Sequence, residues 1–198
     1  GLKWFGLPTG AAVLDDKGTP FDKTDDAWQP ITHTITGLAS QALRIVVDGA
    51  GRKWFATQWG LSVLDDNGTP FDIGDDTWHT FTTGTTGGGL VGDYVTDLEI
   101  DADGNVWVAT SAGVSVLDYK ASPFDTTDGD TWQSFTQATS DLVANYVRGM
   151  DVDASGRHVV TSCSDNIVRL WDLQSSEVLY RISANGDDPP GAISCVAI

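Results

Sequence analysis

The sequence predicts an all-β fold assembled from four copies of one unit of about fifty residues. Three observations support this prediction: an internal repeat, short segments rich in Val, Ile, Trp, Phe and Thr between Gly/Asp turns, and an excess of Asp over Glu. The 198 residues contain 26 Asp but only 2 Glu. Because Asp favours turns and caps whereas Glu is at home inside helices, we expect few helices.

The repeat is visible directly in the sequence. Residues 1–32 and 51–82 align without a gap and are identical at 18 of 32 positions. A third copy begins at Gly104 and a fourth at Gly156, so the steps between the opening glycines are 50, 53 and 52 residues. We therefore interpret residues 1–198 as one domain whose repeats begin near 1, 51, 104 and 156.

Each unit contains four segments with the composition of short β-strands. In the second unit these segments are residues 44–47, 53–57, 61–64 and 77–81. Short Gly-containing turns join the first segment to the second and the second to the third, and a long loop precedes the fourth. Four antiparallel strands at a period of about fifty residues are typical of a β-propeller blade.

Two motifs in these units resemble known families. The run Trp-Phe-Ala-Thr-x-x-Gly-Leu-Ser-Val-Leu-Asp at 54–65 recurs in related form between Trp107 and Asp118. Over about residues 1–155, these motifs resemble the two-component-regulator propeller repeat. The last copy, 156–198, resembles a WD40 blade through a Ser-x-Asp turn and a Trp-Asp dipeptide. Both resemblances imply a β-propeller.

The strands are offset relative to the chain termini. The chain begins at the second strand of a blade, and residues 193–198 align with the first strands at 147–152 and 95–100. We predict that 193–198 form a closing strand that supplies the missing first strand of blade one, which would pair an otherwise free edge. Three arrangements stay open: a closed four-bladed ring, two chains completing an eight-bladed ring, and a fragment of a larger propeller.

Charge and composition argue against several classes of partner. The net charge is −17, and no basic stripe with interleaved aromatic residues offsets it, so we expect neither nucleic acid nor an anionic membrane surface as a partner. The apolar runs are a few residues long, far short of the roughly 20 needed to span a membrane. The two cysteines, Cys163 and Cys195, are too few for a disulfide framework, and we expect both to be small buried residues.

Catalytic motifs are missing from the sequence. It contains no G-x-S-x-G, H-E-x-x-H or G-x-x-x-x-G-K-[ST] pattern. The three histidines occupy different positions in their repeats, and Glu99 and Glu177 stand isolated. We therefore predict no catalytic residues and a protein that is not an enzyme.

The tryptophans fall into two groups and one exception. Two sets of three recur at fixed strand positions, which predicts packing between blades: Trp4, Trp54 and Trp107, and Trp28, Trp78 and Trp132. Trp59 lies in the turn after a second strand, where the other copies have Thr9 and Ala112. The repeat does not require an aromatic residue there, so Trp59 is our candidate for an exposed ligand contact.

Long acidic loops join the third and fourth strands. We expect these loops to lie on one side of the disc with the turns after the first strands, gathering 18 of the 26 Asp there. We also expect the Pro-Phe centre of each loop to fold back onto its blade. Crowded carboxylates repel one another and could be relieved by Ca²⁺. The candidate ligands are Asp15, Asp16, Asp22, Asp25 and Asp26, and Asp65, Asp66, Asp72, Asp75 and Asp76. The alternative is that these residues cap turns and keep the face soluble.

The sequence favours a binding or interaction module. The first resemblance implies an extracytoplasmic domain, periplasmic or secreted, that senses glycans or other small ligands, and the second implies protein–protein scaffolding. We expect a protein or glycan ligand and no cofactor other than Ca²⁺. The alternatives are a glycan-binding lectin or glycan-active enzyme, and a structural subunit that self-assembles through its offset terminal strands.

Overall fold

A computed structural model describes the greater part of the chain. The described residues are 2–34, 37–127, 129–140, 142, 145–153, 155–175 and 177–183. Within these ranges the chain forms fifteen β-strands and no helix, which confirms the all-β prediction.

The strands form four antiparallel meanders in chain order. Blade one consists of β1 (Leu2–Leu7), β2 (Gly10–Asp15) and β3 (Ala27–Thr32). Blade two consists of β4 (Ala42–Val47), β5 (Lys53–Thr57), β6 (Gly60–Asp65) and β7 (Thr77–Phe81). Blade three consists of β8 (Val95–Ile100), β9 (Val106–Thr110), β10 (Gly113–Asp118) and β11 (Thr131–Phe135). Blade four consists of β12 (Val147–Val152), β13 (His158–Cys163), β14 (Ile167–Asp172) and β15 (Glu177–Ser183).

The internal repeat extends to irregularities of the backbone. In blades two, three and four, the pairing of the first strand with the second shifts register once, near the start of the first strand. The shifts lie between Ala42 and Arg44, between Val95 and Asp97, and between Val147 and Gly149. A bulge at the same point in three blades sets the same local twist in each, so the blades have matching shapes and can stack on one another.

Apolar side chains between consecutive blades form three core clusters. Phe55 and Leu64 belong to the cluster between blades one and two, and Trp54 to the cluster between blades two and three. Trp107 belongs to the cluster between blades three and four. Most of the recurring tryptophans therefore pack between blades, as predicted. Trp28 is the exception, since 55% of its surface is exposed.

The first strands of blades two, three and four, β4, β8 and β12, are neighbours in this order. Side chains bond across their boundaries: the Thr96 hydroxyl donates to the Val147 carbonyl at 2.6 Å, and the Met150 N–H donates to the Asp97 carboxylate at 3.0 Å. These strands form the inner wall of the fold, as the first strands of a propeller do.

Blade one has three strands within the described residues. The predicted closing strand, 193–198, and Cys195 lie outside the described residues, whereas Cys163 is a buried free thiol as expected. On the face of blade one that points away from blade two, Phe5 is 39% and Trp28 55% exposed, and no other blade of the described residues packs there. In a closed ring of four, blade four would cover this face.

No helix of the described residues is long and apolar enough to cross a membrane.

The turn between the second and third strands requires glycine at its end. Gly10, Gly60 and Gly113 have φ values of +141°, +127° and +140°. A Cβ atom on Gly60 would lie 2.4 Å from the Phe81 carbonyl oxygen, and Gly10 and Gly113 are equally confined by backbone oxygens. Only glycine has both the backbone freedom and the small size that this position needs.

We predict that Gly60→Ala lowers the free energy of unfolding by about 2 kcal/mol or more, because it adds backbone strain to a steric clash. Gly49→Ala is the matched control, since its Cβ would meet no atom within 4 Å. The control should change stability by no more than about 0.5 kcal/mol. Urea denaturation followed by tryptophan fluorescence measures both values, and equal stabilities of the two variants would contradict the prediction.

Candidate functional site

The turns after the first strands and the long loops after the third strands lie on one side of the fold, as predicted. Contacts across blades show this directly. The Arg52 guanidinium donates to the Tyr119 hydroxyl at 2.7 Å, and this hydroxyl lies 3.4 Å from the Asp48 carboxylate. We call this side the acidic face.

Asp48 connects its turn to the core of blade two. Its carboxylate accepts hydrogen bonds from the Ala50 and Arg52 N–H groups, both at 2.9 Å, and from the Arg52 side chain at 2.7 Å. It also accepts one from the Trp54 indole at 3.1 Å. Burial opposes ionisation, but the hydrogen bonds from Trp54 and Arg52 outweigh it and hold the pKa of Asp48 below its ordinary value.

The same device recurs in blade three. The Asp101 carboxylate accepts from the Asp103 and Asn105 N–H groups at 3.0 and 2.9 Å, from the Asn105 amide at 2.9 Å and from the Trp107 indole at 3.0 Å. Asp101 is only 7% exposed. A buried carboxylate is stable here because four donors replace its hydration shell.

Blade four uses a different donor for the same purpose. There Val160 takes the place of Trp107, since Val160 lies opposite Asp151 on the first strand as Trp107 lies opposite Glu99. Blade four therefore has no indole at this position. The His158 ring instead places Nδ1 2.8 Å from the Asp153 carboxylate, and the His158 N–H donates to the same group at 3.2 Å. Part of the Asp excess is therefore structural.

The long loops of blades one and two share one conformation. In blade one the Thr19 N–H donates to the Asp16 carbonyl at 2.8 Å, and the Gly18 N–H donates to the Asp16 carboxylate at 3.1 Å. The Thr19 hydroxyl donates to the Asp25 carboxylate at 2.9 Å. The residues fifty positions later make the same three bonds. These contacts are those of carboxylates that cap turns.

A lysine on the second strand anchors each of these two loops to its blade. The Lys53 ammonium lies 2.5 Å from the Asp66 carboxylate, and both residues are buried. Lys3 and Asp16 form the same pair in blade one, where Lys3 is about half exposed. The difference arises because blade one covers Lys53, whose ammonium lies 5.3 Å from the centre of the Trp4 ring.

The ten candidate calcium ligands do not converge in the structure. Asp16 and Asp66 are buried and bonded to their lysines. No group of three His, Cys, Asp or Glu side chains in the described residues is arranged to hold a metal ion. Crowding is nevertheless present: burial raises the pKa of Asp76, and the carboxylates of Asp66 and Asp75 raise it further. Calcium binding stays a prediction.

The Pro-Phe centres behave differently from our expectation. Phe21 is 99% exposed, so the prediction that it folds back onto its blade is wrong. Phe71 is 39% exposed and has the Lys17 ammonium of blade one 6.0 Å from its ring centre. Phe124 packs against the cluster between blades two and three. The ring is covered where another blade precedes its own, and blade one has no such neighbour among the described residues.

Trp59 lies on the side of the fold opposite the acidic face and is 66% exposed, as predicted. Its turn is formed by other groups: the Thr57 hydroxyl donates to the Gly60 carbonyl at 2.8 Å and accepts from the Trp59 N–H at 3.1 Å. Thr110 forms the same turn with Ala112 in the place of Trp59. The fold does not need the indole, and its role as a ligand contact stays a prediction.

A charged cluster on the inner strands was not predicted. Glu99, which the sequence suggested to be isolated, pairs with Arg44 on the first strand of the preceding blade. The Arg44 Nε atom also lies 3.5 Å from the Asp97 carboxylate. The expectation for Glu99 is wrong because the partners are 55 positions apart in the sequence and meet only when the blades stack. We call Arg44, Asp97, Glu99 and Asp151 the inner-strand cluster.

The carboxylates of this cluster are electrostatically costly. Burial raises the pKa of Asp97, and Asp151 raises it further, against hydrogen bonding from the Met150 N–H and the charge of Arg44. Burial also raises the pKa of Glu99, with smaller contributions from Asp151 and Asp97, while Arg44 opposes them. The Arg44 side chain, which is 48% exposed, pairs with two of these carboxylates, Asp97 and Glu99. Such perturbed groups concentrate at functional sites.

One signal in the sequence could have revealed the cluster. Arg44, Asp97 and Gly149 follow the same register shift in three blades. The next residue along each strand is always apolar and packs in the core. The position of Arg44, Asp97 and Gly149 itself carries a cation in blade two, an anion in blade three and glycine in blade four. The charge at this position is therefore specific to each blade.

Comparison with known proteins confirms the fold. Residues 89–112 match the family described as Two component regulator propeller. No curated protein matches the chain. These findings, with the four meanders, agree with the resemblance drawn from the repeat motifs.

Solved structures similar to this chain are propeller domains or surface proteins. One is the extracellular domain of the hybrid two component system BT3049 from B. thetaiotaomicron, with a TM-score of 0.64 and 16% identity over 96% of this chain and 22% of that one. PorZ of Porphyromonas gingivalis, a bacterial surface component of the type-IX secretion system, has a TM-score of 0.64 and 15% identity over 92% of this chain and 26% of that one. The Cps50 (Swd1) β-propeller domain of Myceliophteria thermophila has a TM-score of 0.57 and 12% identity over 90% of this chain and 54% of that one. The chain spans about a quarter of the first two proteins and about half of the third.

We predict that Asp101→Ala lowers the free energy of unfolding by about 3 kcal/mol, because it leaves a buried indole N–H and two turn N–H groups without their acceptor. Asp103→Ala, in the same turn but exposed, is the control and should stay within about 0.5 kcal/mol of the parent. Chemical denaturation of both variants measures the difference. A small effect of Asp101→Ala would show that the turn does not depend on this carboxylate.

For calcium, we predict a rise in the thermal midpoint when the ion is added and its reversal by chelator. An ion present at about 100 times its Kd would stabilise the fold by about 2.7 kcal/mol. The double variant Asp72→Asn with Asp75→Asn should reduce the shift, because the loop of blade one keeps its carboxylates, whereas Asp103→Asn, outside the long loops, should keep the full shift. A midpoint that calcium does not change would rule out the loop sites.

Proposed function

We propose that this chain is a non-enzymatic β-propeller module that binds a ligand outside the cytoplasm, and that the inner-strand cluster is its binding site. The observation that carries the proposal is the placement of Arg44 against Asp97 and Glu99. These charges lie at the inner wall, at positions whose residue type differs between blades, and both carboxylates have raised pKa values. A ligand that bonds to them would relieve a cost that the free protein bears.

The chemistry of the cluster indicates the kind of ligand. Carboxylates accept hydrogen bonds from hydroxyl and amine groups, and the half-exposed guanidinium of Arg44 donates to oxygen atoms. Sugar hydroxyls satisfy both requirements at once, since each can donate and accept. A glycan is therefore the ligand class that we favour, with a peptide bearing amine groups as the alternative.

Two further observations support the proposal. The solved structures most relevant to location are an extracellular domain and a bacterial surface component, which fits a module outside the cytoplasm. The histidines serve local contacts: His158 bonds to Asp153, and His79 packs edge-on against Phe81 with the ring centres 4.5 Å apart. These contacts give the two histidines structural roles.

We predict that Arg44→Gln weakens ligand binding at least about tenfold, equivalent to about 1.4 kcal/mol, because it removes the donor and leaves the carboxylates to repel each other. Glycan and peptide arrays probed with the labelled protein measure this. Lys23→Gln, an exposed lysine in a loop of blade one, is the charge-matched control. Trp59→Ala in the same arrays tests the separate contact on the opposite side.

Two outcomes would contradict the proposal. Arrays that show no binding, or binding that Arg44→Gln leaves unchanged, would remove the inner-strand cluster as the site. Cleavage of a bound glycan by the parent protein, lost in Glu99→Gln, would show that the protein is an enzyme.

A further inference from the structure

The interface between blades three and four contains a cavity of about 400 Å³. Its aromatic walls are Trp107 and Phe135 of blade three and Trp171 of blade four. Two of these residues, Trp107 and Trp171, are among the buried members of the core cluster between the two blades, and Phe135 packs against that cluster. The cavity therefore lies inside the stack, between two units that pack on each other.

The interface between blades two and three shows what fills the corresponding space there. The Trp54 and Phe81 rings stack with their centres 6.2 Å apart at 10°. The Trp132 ring of blade three meets Phe81 edge-on, with the ring centres 5.6 Å apart. Leu90, from the loop that precedes blade three, belongs to the same cluster. In this interface an indole ring thus fills the space beside the stacked pair.

Blade three presents the same wall to blade four. The Trp107 and Phe135 rings stack with their centres 6.3 Å apart at 8°. Leu142, which lies 52 positions after Leu90, lines the cavity beside them. The surface on which Trp132 packs in one interface is therefore repeated in the next.

Blade four has no tryptophan to place on this wall. In blades two and three, the residue opposite the Leu of the third-strand Leu-Asp pair is Trp78 or Trp132. Blade four has Trp-Asp in that place, and the residue opposite Trp171 is Val178. The Trp171 indole N–H donates to the Thr161 hydroxyl at 2.9 Å, and its ring forms one side of the cavity without filling it.

The size and lining of the cavity are those of a small-molecule site. Close-packed interiors have few voids larger than a water molecule, whereas ligand pockets have volumes of about 300–1,000 Å³. The polar side chains of Gln133 and Asp172 line this cavity next to its aromatic walls. Amide and carboxylate oxygens accept hydrogen bonds, so a ring that carries an N–H or O–H group can be satisfied there.

We propose that this cavity binds a small flat aromatic molecule that carries a hydrogen-bond donor and has about the size of indole. The ligand takes the place that Trp132 has between blades two and three, with its ring edge-on to Phe135. The internal copy of the interface indicates this ligand class, because there the same stacked wall is covered by an indole. The site is separate from the inner-strand cluster and does not rest on the function proposed for that cluster.

The probe is fluoroindole, followed by fluorine NMR while the 198-residue chain is titrated into it. We expect a saturable change of the fluorine signal that unlabelled indole reverses. Indole should also raise the thermal midpoint of the chain, because the cavity exists only in the folded state. Arg44→Gln should leave the Kd for fluoroindole unchanged, which separates this site from the inner-strand cluster.

Two variants block the cavity. Val178→Trp restores the residue type of Trp78 and Trp132 and should abolish the signal change, because its side chain fills the space. Gln133→Trp alters an exposed residue that lines the cavity and should weaken binding at least about tenfold. It leaves the core unchanged, so it tests the site even if Val178→Trp does not fold.

The matched control is Tyr180→Trp. It adds an indole to the same strand as Val178, at a residue that is 69% exposed and is not among those lining the cavity. The Kd for fluoroindole should stay that of the parent. Circular dichroism melts establish that each variant is folded before the titration.

The proposal is overturned if the parent chain gives no saturable signal change, or if the folded blocking variants bind fluoroindole as tightly as the parent. It is also overturned if Arg44→Gln abolishes binding while Gln133→Trp does not, because the ring then binds at the inner-strand cluster.

Discussion

The structure depends on a buried carboxylate in the turn after the first strand. Asp48 and Asp101 each bind the N–H groups of their own turn and the indole of a tryptophan on the next strand. This places the ring of Trp54 or Trp107 flat in the gap between two blades. In blades two and three the same interaction thus stabilises the turn of the hairpin and holds the indole of the largest core side chain.

This use of carboxylates changes the meaning of the strongly acidic composition. Asp16 and Asp66 bond to lysines and turn N–H groups, so these carboxylates already have structural roles in blades one and two. An abundance of Asp is therefore weak evidence for a site in this molecule. Arg44, Asp97 and Glu99 are more informative, because their charges are not repeated in every blade and burial opposes ionisation of both carboxylates.

Stacking identical units has a consequence at the two ends. Each internal blade has one face that packs against the preceding blade and one face that packs against the following blade. Every copy therefore carries apolar residues on both faces. Phe5 and Trp28 correspond to Phe55 and Trp78, which lie at the interface between blades one and two. In a repeat architecture, surface that is unexplained at an end is explained by comparison with its internal copy.

The sequence alone determined the features that are local or repeated. The opening glycines and the spacing of the strand segments predicted the four blades, and Trp54 and Trp107 were recognisable as packing residues because a repeated position reports a repeated environment. The exposure of Trp59 followed from the same reasoning, since Thr9 and Ala112 show that no blade requires an aromatic side chain there.

Only the tertiary structure decided the contacts that join one blade to the next. The pairing of Glu99 with Arg44 bridges 55 positions and depends on the distance between inner strands, which no local pattern encodes. Phe21 is exposed and Phe124 is partly buried within one repeated motif, because each ring is covered or exposed according to whether another blade lies in front of it. Periodicity specifies what each blade contains, whereas stacking decides which of its faces meets a partner.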